Sequence, residues 1–187
     1  MFRNRGGFMK KRYKITVKLK SPMCIATGTS FGSLIDKYYI KDKNNKPYIP
    51  ASTMKGIIKQ NFISIVGEEH ISNKRCDCPV CSLFGGEGYN PSRIYIEDLK
   101  LDIEDDYSNI RFSTSVDRYR GVTKDNSLFS TEVFESGIFS GYMEFYMNDK
   151  TKDYEELLRL SVKMIENIGS GKSRGYGWVD VDIQEVL

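Results

Sequence analysis

FSGYMEFYMNDKTKDYEELLRLSVKMIENIGSGKSRGYGWVDVDI, residues 139–183, decides the fold. Phe139 to Met147 reads as a strand, with Phe139, Tyr142, Phe145 and Tyr146 supplying aromatic bulk. Asp153 to Ile168 reads as an amphipathic helix, because Tyr154, Leu157, Leu158, Val162, Ile165 and Ile168 fall on or near one face. Gly169 to Gly177 is a glycine-rich connection, and Tyr176 to Ile183 is a second strand.

Strands and a further helix also lie upstream. Tyr13, Ile15, Val17 and Leu19 alternate with Lys14, Thr16, Lys18 and Lys20, the pattern of a half-buried strand. A Gly- and Ser-rich loop, Gly28 to Ser33, leads to a short extended piece at Tyr38–Ile40 and a turn at Asp42–Pro47. After Pro50 a helix begins, with Ser52 or Thr53 as its cap and Met54, Ile57, Ile58, Phe62 and Ile65 as its apolar face. Arg93 to Leu101 alternates again as a strand. Ile110–Val116 and Thr131–Phe134 read as two short strands separated by a polar loop, Asp117 to Ser130. The order predicts an α+β, ferredoxin-like (RRM-like) βαββαβ domain. Residues 11–187 form this single domain, with insertions at about 67–92 and 117–130; residues 1–10 are a basic N-terminal segment whose order is left open. The fold hosts many functions, so function has to be read from the loops.

The 187 residues are 40% hydrophobic and 28% charged, ordinary values for a globular domain. No apolar run reaches the length of a membrane span, and the N-terminus lacks the apolar stretch of a secretory signal. A cytoplasmic chain with no membrane partner is expected. The net charge of +3 is unevenly spread: residues 1–20 carry eight Lys or Arg and no acid, whereas Glu97 to Asp106 is acidic. The basic stretch reads equally as a polyanion surface and as a solvated tail.

Four cysteines stand at 24, 76, 78 and 81. Three thiols within six residues suit a metal better than disulfides. His70 with Cys76, Cys78 and Cys81 can close a tetrahedral Cys₃His zinc site, structural because no coordination position stays open. Zinc binding would supply the ordering energy that a short loop lacks. Cys24 could replace His70 as fourth ligand, although it reads more simply as a core residue.

Gly171-Lys172-Ser173 imitates a phosphate-binding P-loop, but Glu166 stands where the first glycine belongs, and the loop runs from helix into strand. A dinucleotide fingerprint fails because Arg174 takes the place of its third glycine. What remains is a loop whose glycines, Gly169 and Gly171 among them, permit close backbone approach, with Lys172 and Arg174 available for phosphates. The helix opening at Tyr48–Gly56 offers amides, the hydroxyls of Ser52 and Thr53, and Lys55 to an anion. Arg118, Tyr119 and Arg120 combine bases with a ring, which suits single-stranded RNA and equally suits a solvated turn.

Together these segments resemble the RAMP superfamily of CRISPR effector proteins, and within it the Csm-type backbone subunit of type III complexes. The resemblance is carried by Tyr48-Ile-Pro-Ala-Ser-Thr-Met-Lys-Gly56, Cys76-Asp-Cys-Pro-Val-Cys-Ser-Leu-Phe-Gly-Gly86, Val116-Asp-Arg118 and Gly169–Gly177, and spans Lys11 to Leu187. Ala51 departs from it, because glycine is more usual there, and the chain is somewhat short for this subunit. The resemblance implies copies aligned along a guide RNA as part of antiviral defence, beside other type III effector subunits. Ser52, Thr53, Lys55, Lys59, Lys172 and Arg174 would hold the guide, and the 117–130 segment would be a thumb that wedges into the guide–target duplex. It further implies that complementary target RNA is cut with Mg²⁺ or Mn²⁺ at an Asp after the first strand, here Asp36, with Asp42 the neighbouring acid. A non-catalytic guide scaffold is the alternative. A stand-alone ribonuclease processing guide precursors often needs a histidine, and the sole histidine, His70, is better spent on zinc.

Overall fold

The computed structural model describes residues 9–26, 35–67, 76, 78–87, 90–102 and 108–186. His70, the loop from Gly28 to Ser33, and residues 1–8 of the basic segment lie outside these. Among the described residues the elements run β1 (Met9–Leu19), β2 (Tyr48–Ile49), α1 (Ala51–Val66), α2 (Pro79–Phe84), β3 (Ile94–Ile96), β4 (Leu99–Leu101), β5 (Ser108–Val116), β6 (Thr123–Phe134), β7 (Ile138–Met147), α3 (Glu155–Lys163) and β8 (Val179–Val186).

The main sheet has the order β2-β4-β7-β1-β8, with β3 also pairing β7, and every pairing is antiparallel. With α1 after β1 and α3 after β7, this is the βαββαβ arrangement, the second strand of that pattern being split into β3 and β4. The expected strand Arg93–Leu101 breaks at Glu97-Asp98, where the Glu97 amide donates instead to the Tyr142 carbonyl. β7 alternates buried and half-buried residues along its whole length, and β1 alternates buried residues with exposed or half-buried ones from Tyr13 to Leu19. Their buried side chains Tyr13, Ile15, Val17, Phe139, Met143 and Phe145 meet Met54, Ile58 and Phe62 of α1 and Leu158 and Val162 of α3. Each fully buried large apolar side chain of this kind contributes about 1.5–3 kcal/mol.

Several expected boundaries move, for physical reasons. The second helix is shorter than Asp153–Ile168: a 3₁₀ turn at Lys152–Tyr154 precedes α3, which ends at Lys163. Ile165 and Ile168 remain buried beyond its end. Helix α1 is capped at Pro50, not by Ser52 or Thr53, which lie inside its first turn, and Ile63 and Val66 pack on the core in place of Ile65. Tyr38–Ile40 makes only isolated bridges, such as Ala26 with Tyr39. The polar loop Asp117–Ser130 is mostly strand, because β6 begins at Thr123 and pairs with β5 in a sheet of its own. Only residues 117–122 form the turn. Polar composition concealed the strand, since a hairpin with little core behind it needs no apolar alternation.

Candidate functional site

The root of the β5–β6 hairpin is fastened to the loop after β1. Met23 bridges Phe134, and Lys37 bridges Thr131 in parallel fashion. Asp36 sits at this junction and is exposed. Its Oδ2 accepts from the Ser130 amide at 2.7 Å and from the Ser130 hydroxyl at 3.0 Å. Its own amide donates to the Ser130 carbonyl at 3.1 Å. The donated hydrogen bonds from the Ser130 amide, then from its hydroxyl, hold the Asp36 carboxyl below the usual range. Asp42, the neighbouring acid, acts locally. Its Oδ1 accepts from the amides of Asn44 at 2.8 Å and Lys46 at 2.9 Å, closing the turn.

Two residues beyond Ser130, Glu132 is 8% exposed. Its Oε1 accepts from Lys41 Nζ at 2.9 Å, and that ammonium lies 4.6 Å from the Tyr39 ring centroid. Neither this partly buried ion pair nor Ser130 stands out in the sequence. The alternation of Ser130, Glu132 and Phe134 along one strand is visible only once β6 is known to be a strand.

In the connection from α3 to β8, four glycines take positive φ: Gly169 (90°), Gly171 (88°), Gly175 (84°) and Gly177 (74°). Two of them serve the chain's own backbone. A Cβ on Gly169 would stand 2.5 Å from the Cys24 carbonyl oxygen, and one on Gly177 would stand 2.1 Å from that of Ile168. The Gly177 amide donates to Pro22 at 2.8 Å and the Ser170 amide to Cys24 at 2.9 Å, stitching this loop to the end of β1. Between these stitches, Lys172 and Arg174 form an exposed 3₁₀ turn.

The α1 start is less open to anions than its composition implied. The Asp98 carboxylate accepts from the Ala51 amide at 2.8 Å, placing a negative charge at the helix N-terminus. Ser52 is exposed and Thr53 half-buried in the first turn. Lys55 Nζ donates to the Ser92 hydroxyl at 2.8 Å, and burial followed by the charge of Lys59 holds its pKa below the ordinary lysine value.

Cys76, Cys78 and Cys81 converge, their sulfurs all lying within 4.8 Å of one another. Pro79 opens α2, and Cys78 caps it, its sulfur accepting from the Cys81 amide at 3.4 Å. Burial, then the two neighbouring sulfurs, push the Cys81 thiol up to about 12. Thiolates at about 2.3 Å from one cation fit this spacing, so the three cysteines form a possible metal site. Cys24 belongs elsewhere: it is buried under the glycine connection, its pKa raised by burial.

At the hairpin tip, Asp117 Oδ1 accepts from the amides of Tyr119 at 2.9 Å and Arg120 at 3.0 Å. Arg118, Tyr119 and Arg120 are exposed. One hairpin face carries Ile110, Phe112 and Leu128, the last two 66% and 63% exposed. Among the described residues, no helix is long and apolar enough to cross a membrane.

Residues 16–180 match the family model of the RAMP superfamily. No curated protein matches the chain.

Proposed function

The chain belongs to the RAMP superfamily, and from that premise we propose that it is an RNA-gripping backbone subunit of a type III CRISPR effector complex. Members of the family bind RNA and work in multi-subunit complexes, and some are ribonucleases. The observation that carries the reading is the β5–β6 hairpin. It forms a separate two-stranded sheet, exposes apolar side chains on one face, and has a carboxylate at its root.

In this reading the hairpin is the thumb, and its apolar face breaks pairing between guide and target. Lys172 and Arg174 hold guide phosphates, with Lys55 and Lys59 as further cations and Ser52 and Thr53 as hydroxyl donors. Arg118 and Arg120 contact RNA from the tip. Asp36 lies where the thumb meets the palm. One carboxylate suffices for Mg²⁺ or Mn²⁺, because such an ion takes its remaining ligands from RNA phosphates and water. That ion would supply charge stabilisation at the cut. The chain's own part is to fix the carboxylate through Ser130 and keep it ionised. Cys76, Cys78 and Cys81 would hold a structural zinc, with His70 as fourth ligand.

A second reading, a guide scaffold without catalysis, is favoured by one contact. The Asp36 carboxylate already ties the loop to the hairpin through Ser130, a structural role that requires no chemistry.

The discriminating experiment purifies the chain with its neighbouring subunits, sequences the RNA that accompanies it, and supplies labelled complementary RNA with magnesium or manganese. Regularly spaced fragments from wild type and none from Asp36→Ala are expected. Bound guide RNA without any cutting by wild type selects the scaffold, and absence of RNA from the assembled complex removes both readings.

A further inference from the structure

The main sheet has a second face, opposite α1 and α3, whose side chains follow one pattern. Tyr95, Glu144 and Arg12 form a row across β3, β7 and β1. Tyr146 pairs with Lys10 one step along, and Tyr142 with Lys14 on the other side. Tyr95 is 56% exposed although it is a large aromatic residue in a sheet. Its ring meets that of Tyr146 edge-on, with centroids 5.5 Å apart at 79°. Beside them lies a concavity of about 470 Å³ lined by Ser92, Arg93, Tyr95, Glu144 and Tyr146. That size falls within the range of small-ligand sites.

We infer that this face is a second RNA-binding site, in which a nucleobase of single-stranded RNA stacks on Tyr95 against Tyr146 and Glu144. The inference rests on the RNA-binding reading of the chain and adds a surface to it. Three features of the face select this occupant. The exposed Tyr95 ring on an open sheet provides a stacking platform, which accepts any base because every base has a π-face. The Glu144 oxygens each accept one hydrogen bond, from Lys10 at 2.7 Å and from the Tyr146 hydroxyl at 2.9 Å. Each keeps a lone pair that can take the exocyclic amino group of cytosine. Lys10 and Lys14 flank the rings and are exposed to a phosphate chain crossing the sheet. Arg12 instead caps Tyr142, its guanidinium 3.9 Å from the ring centroid, and Lys10 Nζ lies 5.6 Å from the Tyr146 centroid, which leaves Tyr95 as the open ring.

This surface is separate from the glycine connection. The latter joins the chain beyond the far end of β1, roughly 25 Å from Arg12 at about 3.3 Å per residue. RNA held by Lys172 and Arg174 would therefore reach Tyr95 only with a stretch of single strand several nucleotides long.

The test uses the full chain and short labelled oligocytidylate and oligouridylate at about 150 mM salt. Tyr95→Ala is expected to weaken oligocytidylate binding roughly fivefold to a hundredfold, the loss of one stacked base, while Tyr95→Phe keeps it. Glu144→Gln is expected to narrow the difference between the two oligonucleotides. Photocrosslinking of wild type to 4-thiouridine RNA should label the peptide that contains Tyr95 or Tyr146. Crosslinks confined to the glycine connection or hairpin overturn the inference and leave the RNA-binding reading intact, as does unchanged binding by folded Tyr95→Ala. A change in particle mass by light scattering for RNA-free Tyr95→Ala assigns the face to a second copy and likewise overturns it. Absence of RNA binding by wild type defeats both.

Discussion

At the scale of single residues, the hydrogen bonds donated by Ser130 lower the Asp36 pKa. The depressed pKa means that the carboxylate stays ionised further into acid than an ordinary Asp, whose reference value is 3.8. Any stability from this contact is present above that value and lost as pH falls through the lower, folded one. Ser130→Ala removes one donor, so the Asp36 pKa should rise, and, on the catalytic reading, the acid limb of a rate–pH profile for target cutting should move to higher pH. An unmoved limb would show that the titrating group is another one. The cysteines make an independent prediction. Protein purified without added metal should contain close to one zinc per chain, and Cys78→Ser should lower both that content and the melting temperature. Wild type that is stable and metal-free would remove the zinc. His70, the expected fourth ligand, lies outside the described residues, and its substitution tests whether the site needs it.

Between elements, a polar contact ties β1 to α3 beside their apolar packing. Tyr13 is wholly buried, and its hydroxyl donates to Glu155 Oε1 at 2.7 Å, where Lys11 Nζ also donates at 2.8 Å. Burial acts to raise the Glu155 pKa, but the bonds from Lys11 and Tyr13 outweigh it, and the net shift is downward. Glu155→Ala leaves the Tyr13 hydroxyl buried without its partner, a loss of about 1–3 kcal/mol, whereas Tyr13→Phe should cost about 1 kcal/mol. Denaturant melts of both variants check the order. Because the folded pKa is the lower one, this contribution is complete above the ordinary value of 4.5 and disappears as pH falls through the folded value. Glu155→Gln should therefore lose less stability on acidification than wild type does.

The strands of the main sheet were legible because one face is apolar and the other charged, as β1 shows from Tyr13 to Lys20. The hairpin was only half legible: β5 reads as a strand, but the first half of β6, from Thr123, is polar and mostly exposed, and alternation had nothing to report there. Likewise the Asp98 contact with Ala51 joins positions far apart in the chain, which no local pattern reveals. The convergence of Cys76, Cys78 and Cys81 was legible, because their spacing confines them to one turn.

For the whole molecule, RNA affinity should depend on salt through the number of phosphates neutralised. Lys172→Ala with Arg174→Ala should weaken binding by similar factors across sequences and flatten the plot of log affinity against log salt. A double variant with wild-type slope and affinity at about 150 mM salt would remove the loop from the interface. The glycines around these two residues respond to a different constraint, which has a consequence for reading mutational tolerance. In a saturation screen scored for folded protein alone, Gly169 and Gly177 should reject every substitution, because a Cβ there collides with backbone oxygens. Gly175 has open space around it and a left-handed conformation that Asn also adopts, so Asn should survive at 175. Lys172 and Arg174 should accept nearly anything in that screen and become selective only when guide RNA must be retained. On the proposed reading, one nine-residue segment holds two superimposed records, one of steric closure and one of ligand contact, and the two screens together separate them position by position.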